Sequence, residues 1–167
     1  WKNYPEALSL QPFGLYFRNT TFVTLLRIQG QLVSSSLVAF AFARMRWRAR
    51  DPLFVLVLAT MMLPGQVTMI PQFVLFGQLN WINTYWPLIL PAYFGSPFFI
   101  FLLRQFFMTI SRELDDAAKI DGASAFQIYF RILLPLCRPA LVAVAIFEFQ
   151  SSWNAFLEPL IYLNSKS

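Results

Sequence analysis

The sequence contains no histidine and a single cysteine, Cys137, among its 167 residues. Without an imidazole, the common neutral-pH acid–base group and the commonest metal ligand are both missing. One thiol excludes a disulfide within the chain, and Cys137 is expected as an inert thiol at a membrane edge. Charge is also scarce: 13% of residues are Asp, Glu, Lys or Arg, against about a quarter in soluble domains. The few carboxylates are dispersed, which together with the missing histidine argues against a membrane enzyme. The six glycines, Gly14, Gly30, Gly65, Gly77, Gly95 and Gly122, are too scattered for a GxxxxGK[ST] phosphate loop.

Apolar residues take the place of the missing charge. They make up 57% of the chain, with 19 phenylalanines and a mean hydropathy of +0.55. That balance points to a membrane protein rather than an unusually apolar soluble helical one. The net charge of +5 could suggest nucleic acid, but the basic residues sit at the ends of apolar runs instead of forming a face, so no nucleic-acid partner is expected. Four segments reach across about 30 Å of hydrocarbon at 1.5 Å per residue: 17–43, 52–76, 85–107 and 139–163. Residues 1–16, with Pro5, Pro12 and Gly14, read as a preceding loop.

Charge then orients the spans. The connection after the first carries Arg44, Arg46, Arg48 and Arg50; the connection between the third and fourth carries Arg104, Arg112, Lys119, Arg131 and Arg138. Lys2, Arg18 and Lys166 lie on the other side, and the Gly77–Thr84 loop holds no basic residue. The positive-inside rule places both basic connections in the cytoplasm and both ends of this chain outside. Trp81, Tyr85 and Trp86 then form an outer aromatic belt. The chain is expected to be an internal piece of a longer protein, with a further span before it.

Three features inside the spans bear on function. Pro64-Gly65, followed by Gln66 and Thr68, breaks the second span near its middle. Proline removes a backbone donor, and in lipid the freed carbonyl needs a protein or water partner, so the break is either a packing kink or part of a pathway wall. Pro87, Pro91 and Pro97 bend the third span. In the fourth, Gln150, Asn154 and Glu158 recur at i, i+4 and i+8 and share one helical face, bordered by Ser151, with Glu148 and Ser152 on a neighbouring face. Such groups either line a path or glue helices by hydrogen bonds. Arg27, about two turns below the outer end of the first span, is expected to snorkel outward, the alternative being a pair with an acid such as Glu158.

The stretch SRELDDAAKIDGASAFQIYFRILLPL carries the strongest signal. Ser111 is a candidate N-cap, and Glu113, Asp115 and Asp116 suit the positive end of a helix. Ala117 and Ala118 favour helix. Gly122 supplies a turn where a side chain would obstruct. A second short helix, about 124–132, then stops near Pro135. The product is a compact helical hairpin, about 111–135, on the cytoplasmic face.

The spacing Asp116-Ala117-Ala118, three residues, Gly122, nine residues, Ile132-Leu133-Leu134-Pro135 resembles the EAA loop of ABC-importer permeases. One departure is Asp116, where the family usually has Glu: the charge is kept and the reach is one methylene shorter. The stretches AFAFARMRWRARD, LPGQVTMIPQF, NTYWPLILPA, FLLRQFF and SWNAFLEPLIYL resemble the carbohydrate branch, akin to maltose- and glycerol-phosphate-type subunits, so the likeness covers the whole chain. It implies an all-α polytopic bundle, one transmembrane domain with four of about six spans present, in a bacterial inner membrane. It also implies that Asp115, Asp116, Ala117, Ala118, Asp121, Gly122, Ala123 and Pro135 form the element that couples to the ATPase. Pro64, Gly65, Gln66, Gln150, Ser151, Asn154 and Glu158 are candidates for the translocation path. The implied partners are an ABC ATPase dimer that binds ATP and Mg, a second and non-identical permease subunit, a periplasmic or lipid-anchored solute-binding protein, and the lipid bilayer. No cofactor, metal or catalytic residue is expected in this chain. A secondary transporter or channel using Glu148 or Glu158, and an importer for a non-sugar solute, are the alternatives.

Overall fold

A computed structural model describes residues 12–163, and the expectations for residues 1–11 and for Lys166 fall outside them. Among the described residues every regular element is helical. Helix α1, Phe13–Arg44, has 32 residues and is therefore about 48 Å long. It starts directly after Pro12, so residues 13–16, expected as loop, are helical. It stops at Met45, which is extended, with Arg44 in its last turn, a cation at the negative end of the helix dipole.

The second segment is not one kinked helix. Helix α2, Arg50–Ala59, continues as a 3-10 turn, Thr60–Met62, and breaks at Leu63-Pro64; helix α3, Gly65–Gln78, then leaves at 96°. The physical reason lies in Pro64, which stands extended and cannot continue the preceding ladder. The third segment is α4, Trp86–Ile89, a 3-10 stretch, Leu90–Phe94, and α5, Pro97–Thr109. Gly95 joins them at φ +79°, a conformation in which a side chain is strained. The hairpin follows as α6, Glu113–Ile120, and α7, Ala125–Ile128. A π-helical turn, Tyr129–Leu133, and α8, Leu134–Leu136, lead into α9, Arg138–Trp153, which is bent 76° from the preceding run. The last element is α10, Leu157–Tyr162.

By length and composition, α1 and the 86–109 segment can each cross a membrane, and the count rises to four if each bent pair is one span. The fourth segment departs from the expectation of a single helix over 139–163. It ends at Trp153 and restarts at Leu157. Pro159 favours the break, because its ring crowds the carbonyl four residues earlier and its missing N–H removes one rung of the helical ladder.

Helix α1 is the centre of the bundle, packed against α5, α9 and the 90–94 stretch. Its buried face is mostly small or polar: Thr24, Gly30, Gln31, Ser35, Ser36, Ala39 and Ala43, with Phe40 and Phe42. Small residues let helix backbones approach closely. At Gly30 a Cβ would stand 2.7 Å from the Tyr93 ring. The main core adds Phe99, Leu103 and Phe107 of α5, Val144 of α9, Leu133 and Cys137. Cys137 is fully buried in the bend between α8 and α9, because the bend folds it against this cluster. The guanidinium of Arg104 lies 4.0 Å above the Phe54 ring, tying α5 to α2.

The two ends of the bundle are distinct. Arg112 reaches the Ala43 carbonyl at 3.4 Å, so the two basic connections meet at one end. At the other, Asn83 N–H donates to the Tyr162 carbonyl at 2.8 Å, and Phe76, Leu88 and Tyr162 form a separate apolar cluster with Trp81 and Tyr85 packed on it. This grouping is the alternation of sides that the charge distribution calls for.

Candidate functional site

The hairpin is built by local rules and then fastened to α1. Three acids stand in the first turn of α6, where the helix dipole favours them. Ser111 accepts from the Glu113 N–H at 3.2 Å. It does so from one position before the N-cap, which is Arg112. Gly122 takes φ +81°. No atom lies near the place its Cβ would occupy, so the glycine is required by the backbone turn and not by crowding within this chain. Ser124 opens α7 with a capping box: its hydroxyl accepts from the Gln127 N–H at 3.3 Å, and the Gln127 side chain accepts from the Ser124 N–H at 2.7 Å. The helical run does not stop at Pro135. It passes through the π turn and α8 and bends only at Cys137; a local π adjustment of this kind accommodates a proline within a helical run.

The predicted coupling residues divide by orientation. Asp116, Ala117, Asp121, Gly122 and Pro135 are exposed; Ala118 and Asp115 are buried; Ala123 is half-buried. Ala118 and Ala123 pack on the main core. Asp116 pairs with Lys119 at 3.0 Å on the open surface, and Ile120 at the tip is 87% exposed. The outward face is therefore small, acidic and apolar in turn.

Asp115 accounts for the attachment. Its Oδ2 lies 3.1 Å from Arg44 Nη1 at the end of α1, and both side chains are buried, at 9% and 4% exposure. Arg44 Nη2 also donates to the carbonyls of Phe107 at 2.6 Å and Ile110 at 2.8 Å. A second attachment joins Tyr129 to α1: its hydroxyl bonds Ser36 at 2.7 Å, and its ring lies against Phe40. Ser36 Oγ also donates to the Leu32 carbonyl. Arg44, Arg46, Arg112, Asp115, Asp116 and Lys119 surround a cavity of about 480 Å³ at this end. The sequence reading grouped Arg44 with three topological arginines and missed Tyr129 and Ser36; only their tertiary contacts distinguish them.

Toward the other end, α1 meets α9 through polar groups. Arg27 Nε donates to Glu148 at 2.8 Å and Nη1 to Glu158 at 2.7 Å. Arg27 therefore does not snorkel; a buried carboxylate on α9 holds it inside the bundle. Thr24 and Ser152 hydrogen-bond at 3.0 Å on the same seam. Glu148 and Ser152 are thus the helix-joining groups, whereas Gln150, Ser151, Asn154 and Glu158 are exposed. Gln150 and Asn154 do share a face of α9's end, where Asn154 Nδ2 caps the Gln150 carbonyl at 2.7 Å. Glu158 does not continue that face, because the helix is broken between them. Pro64, Gly65 and Gln66 are exposed at the 96° bend, and among the described residues no hydrogen bond joins Gln66 to Gln150, Asn154 or Glu158.

Comparisons with known proteins agree with this architecture. The chain is 39% identical over 171 residues to the arabinooligosaccharides transport system permease protein AraQ of Halalkalibacterium halodurans, covering 96% of this chain and 61% of that protein. It is 37% identical over 151 residues to the lactose transport system permease protein LacG of Rhizobium radiobacter, covering 90% and 55%. A crystal structure of a bacterial ABC transporter involved in the import of the acidic polysaccharide alginate superposes with a TM-score of 0.81 at 27% identity, covering 89% of this chain and 52% of that one. The chain thus spans between half and two thirds of the length of these proteins. Residues 32–166 match the model of one protein family. On this match, and on the relatives' identity, the chain belongs to the binding-protein-dependent transport system inner membrane components.

Proposed function

We propose that this chain is part of the permease subunit of a bacterial ABC importer that moves a sugar or sugar-like solute into the cytoplasm by alternating access. A dimeric ABC ATPase, which holds ATP and Mg, docks on the hairpin of α6 and α7. A solute-binding protein, periplasmic or lipid-anchored, delivers solute to the opposite face. A second, non-identical permease subunit completes the path, and this chain binds no cofactor. ATPase closure moves the hairpin, and the bundle rocks to expose the other side.

The observation that carries this reading is the hairpin itself. It presents Asp116, Ala117, Ile120, Asp121 and Gly122 outward while buried Asp115 and Ala118 fix it to the bundle. A surface with small residues admits a close backbone, and its acids suit basic groups on a partner. The sugar class rests on the relatives, whose names specify arabinooligosaccharides and lactose. In this reading Gln150, Ser151, Asn154 and Glu158 face the path, and the exposed Pro64-Gly65-Gln66 bend forms part of its wall.

The test is uptake in proteoliposomes holding the full-length protein with its ATPase, second permease and binding protein. ATP-dependent accumulation of a labelled oligosaccharide is the expected result. Accumulation driven by an ion gradient without ATP would overturn the importer reading. ATP-driven uptake of amino acids but not of any sugar would overturn the solute class.

A further inference from the structure

We infer that the buried Arg44–Asp115 ion pair is the joint through which movement of the hairpin enters the membrane bundle, so that α6, α1 and α5 travel as one body. The inference rests on the functional reading above and names the residues that give it a mechanical path.

Among the described residues, Arg44–Asp115 is the one ion pair that links α6 to a membrane-crossing helix. The other pair on α6, Lys119–Asp116, stays within the helix and is exposed. One guanidinium at the end of α1 engages three acceptors: the Asp115 carboxylate on α6, the Phe107 carbonyl in the last turn of α5, and the Ile110 carbonyl just beyond it. Helix ends leave such carbonyls without intrahelical partners, and a cation there also meets the negative end of the α5 dipole. The planar fork of Arg can serve all three at once; the single ammonium of Lys cannot reproduce that geometry.

Burial makes the joint stiff. Both side chains are 9% exposed or less although they also line the cavity at this end, so separating them would leave two poorly solvated charges unpaired. Well-packed apolar residues would serve stability equally well or better. What the pair adds is a fixed register between α6 and α1. The Tyr129–Ser36 hydrogen bond supplies a second point on the same helix. It lies eight residues, or about 12 Å, from Arg44. Two separated attachments prevent the hairpin from pivoting about either one, so a push on α6 becomes displacement of α1.

The test uses the complete transporter reconstituted with its ATPase, second permease and binding protein. Cys137 is fully buried; with any cysteines of the remaining sequence and of the partner subunits replaced, spin labels are placed on Leu25→Cys in α1 and Glu113→Cys in α6, both exposed sites. Pulsed electron–electron resonance reads the distance between them with and without ATP. In the wild-type background the distance is expected to stay constant while uptake proceeds. In Asp115→Asn and Arg44→Lys backgrounds it should become nucleotide-dependent, and solute imported per ATP hydrolysed should fall severalfold, with the ATPase still bound. A purely structural role would lower the amount of assembled complex and leave that ratio unchanged, which would overturn the inference. A nucleotide-dependent distance in the wild type would also overturn it, and that measurement needs no substitution in the pair. If the wild-type complex shows no ATP-driven uptake at all, the functional reading fails first and the inference falls with it.

Discussion

Replacing Arg27 with methionine removes the cation that binds two carboxylates of very different burial, and the structure assigns different costs to each. Glu148 is 5% exposed and held at 2.8 Å; Glu158 is 52% exposed and held at 2.7 Å. Stranding a buried charge costs about 3–5 kcal/mol, whereas an exposed pair contributes about 0–1 kcal/mol. Arg27→Met should therefore destabilise by about 3–5 kcal/mol and Glu158→Gln by at most about 1 kcal/mol. The double variant Arg27→Met/Glu148→Leu should recover most of the loss, since no charge is left buried. Thermal unfolding of the detergent-solubilised protein reads the order: about 2–4 °C per kcal/mol gives a fall of roughly 6 °C or more for Arg27→Met and under about 4 °C for Glu158→Gln. Equal falls for the two single variants, or no recovery in the double, would refute the claim that Glu148 is the structural partner and Glu158 the peripheral one.

Three further outcomes follow from the geometry. Gly30→Val should destabilise by about 1–3 kcal/mol, because its Cβ would meet the Tyr93 ring at 2.7 Å; the same thermal assay should show partial recovery with Tyr93→Ala. Ser124→Ala removes the acceptor of the capping box and should cost about 1 kcal/mol of local stability, seen as faster amide hydrogen exchange confined to α7. Gln150→Ala, at an exposed position, should weaken half-saturation of uptake while changing stability by no more than the roughly 0.5 kcal/mol usual for surface changes; Asn154→Ala should weaken it too, with an added stability loss of about 1 kcal/mol because its amide caps the Gln150 carbonyl. A stability loss with unchanged uptake affinity would reassign them as helix-joining groups.

The apolar runs and the placement of arginines made the helical bundle and its two sides legible, because both are one-dimensional signals. The hairpin was legible for a similar reason: a glycine turn, a serine cap and small residues act over four or five positions. The 96° bend at Pro64-Gly65 was visible only as a break, since the angle depends on packing elsewhere. The end of α9 at Trp153 left one usable mark, Pro159, whose ring crowds the helical turn before it; reading Gln150, Asn154 and Glu158 as one face ignored that mark. Arg27 and Arg44 were visible as charges but not as partners of Glu148 and Asp115, 121 and 71 residues away in the chain. Nothing local separates a buried arginine from its exposed neighbours.

The central claim is that the hairpin around Gly122 receives an ATPase. Its most direct test is co-purification of the full-length protein from its own operon context, comparing the wild type with Gly122→Trp. The variant forces a bulky residue into φ +81° on an exposed turn with open space around it, so the chain should still reach the membrane. An ATPase subunit retained by the wild type and lost from Gly122→Trp is the predicted result. An absent ATPase in the wild type, or equal retention by both, would contradict the account.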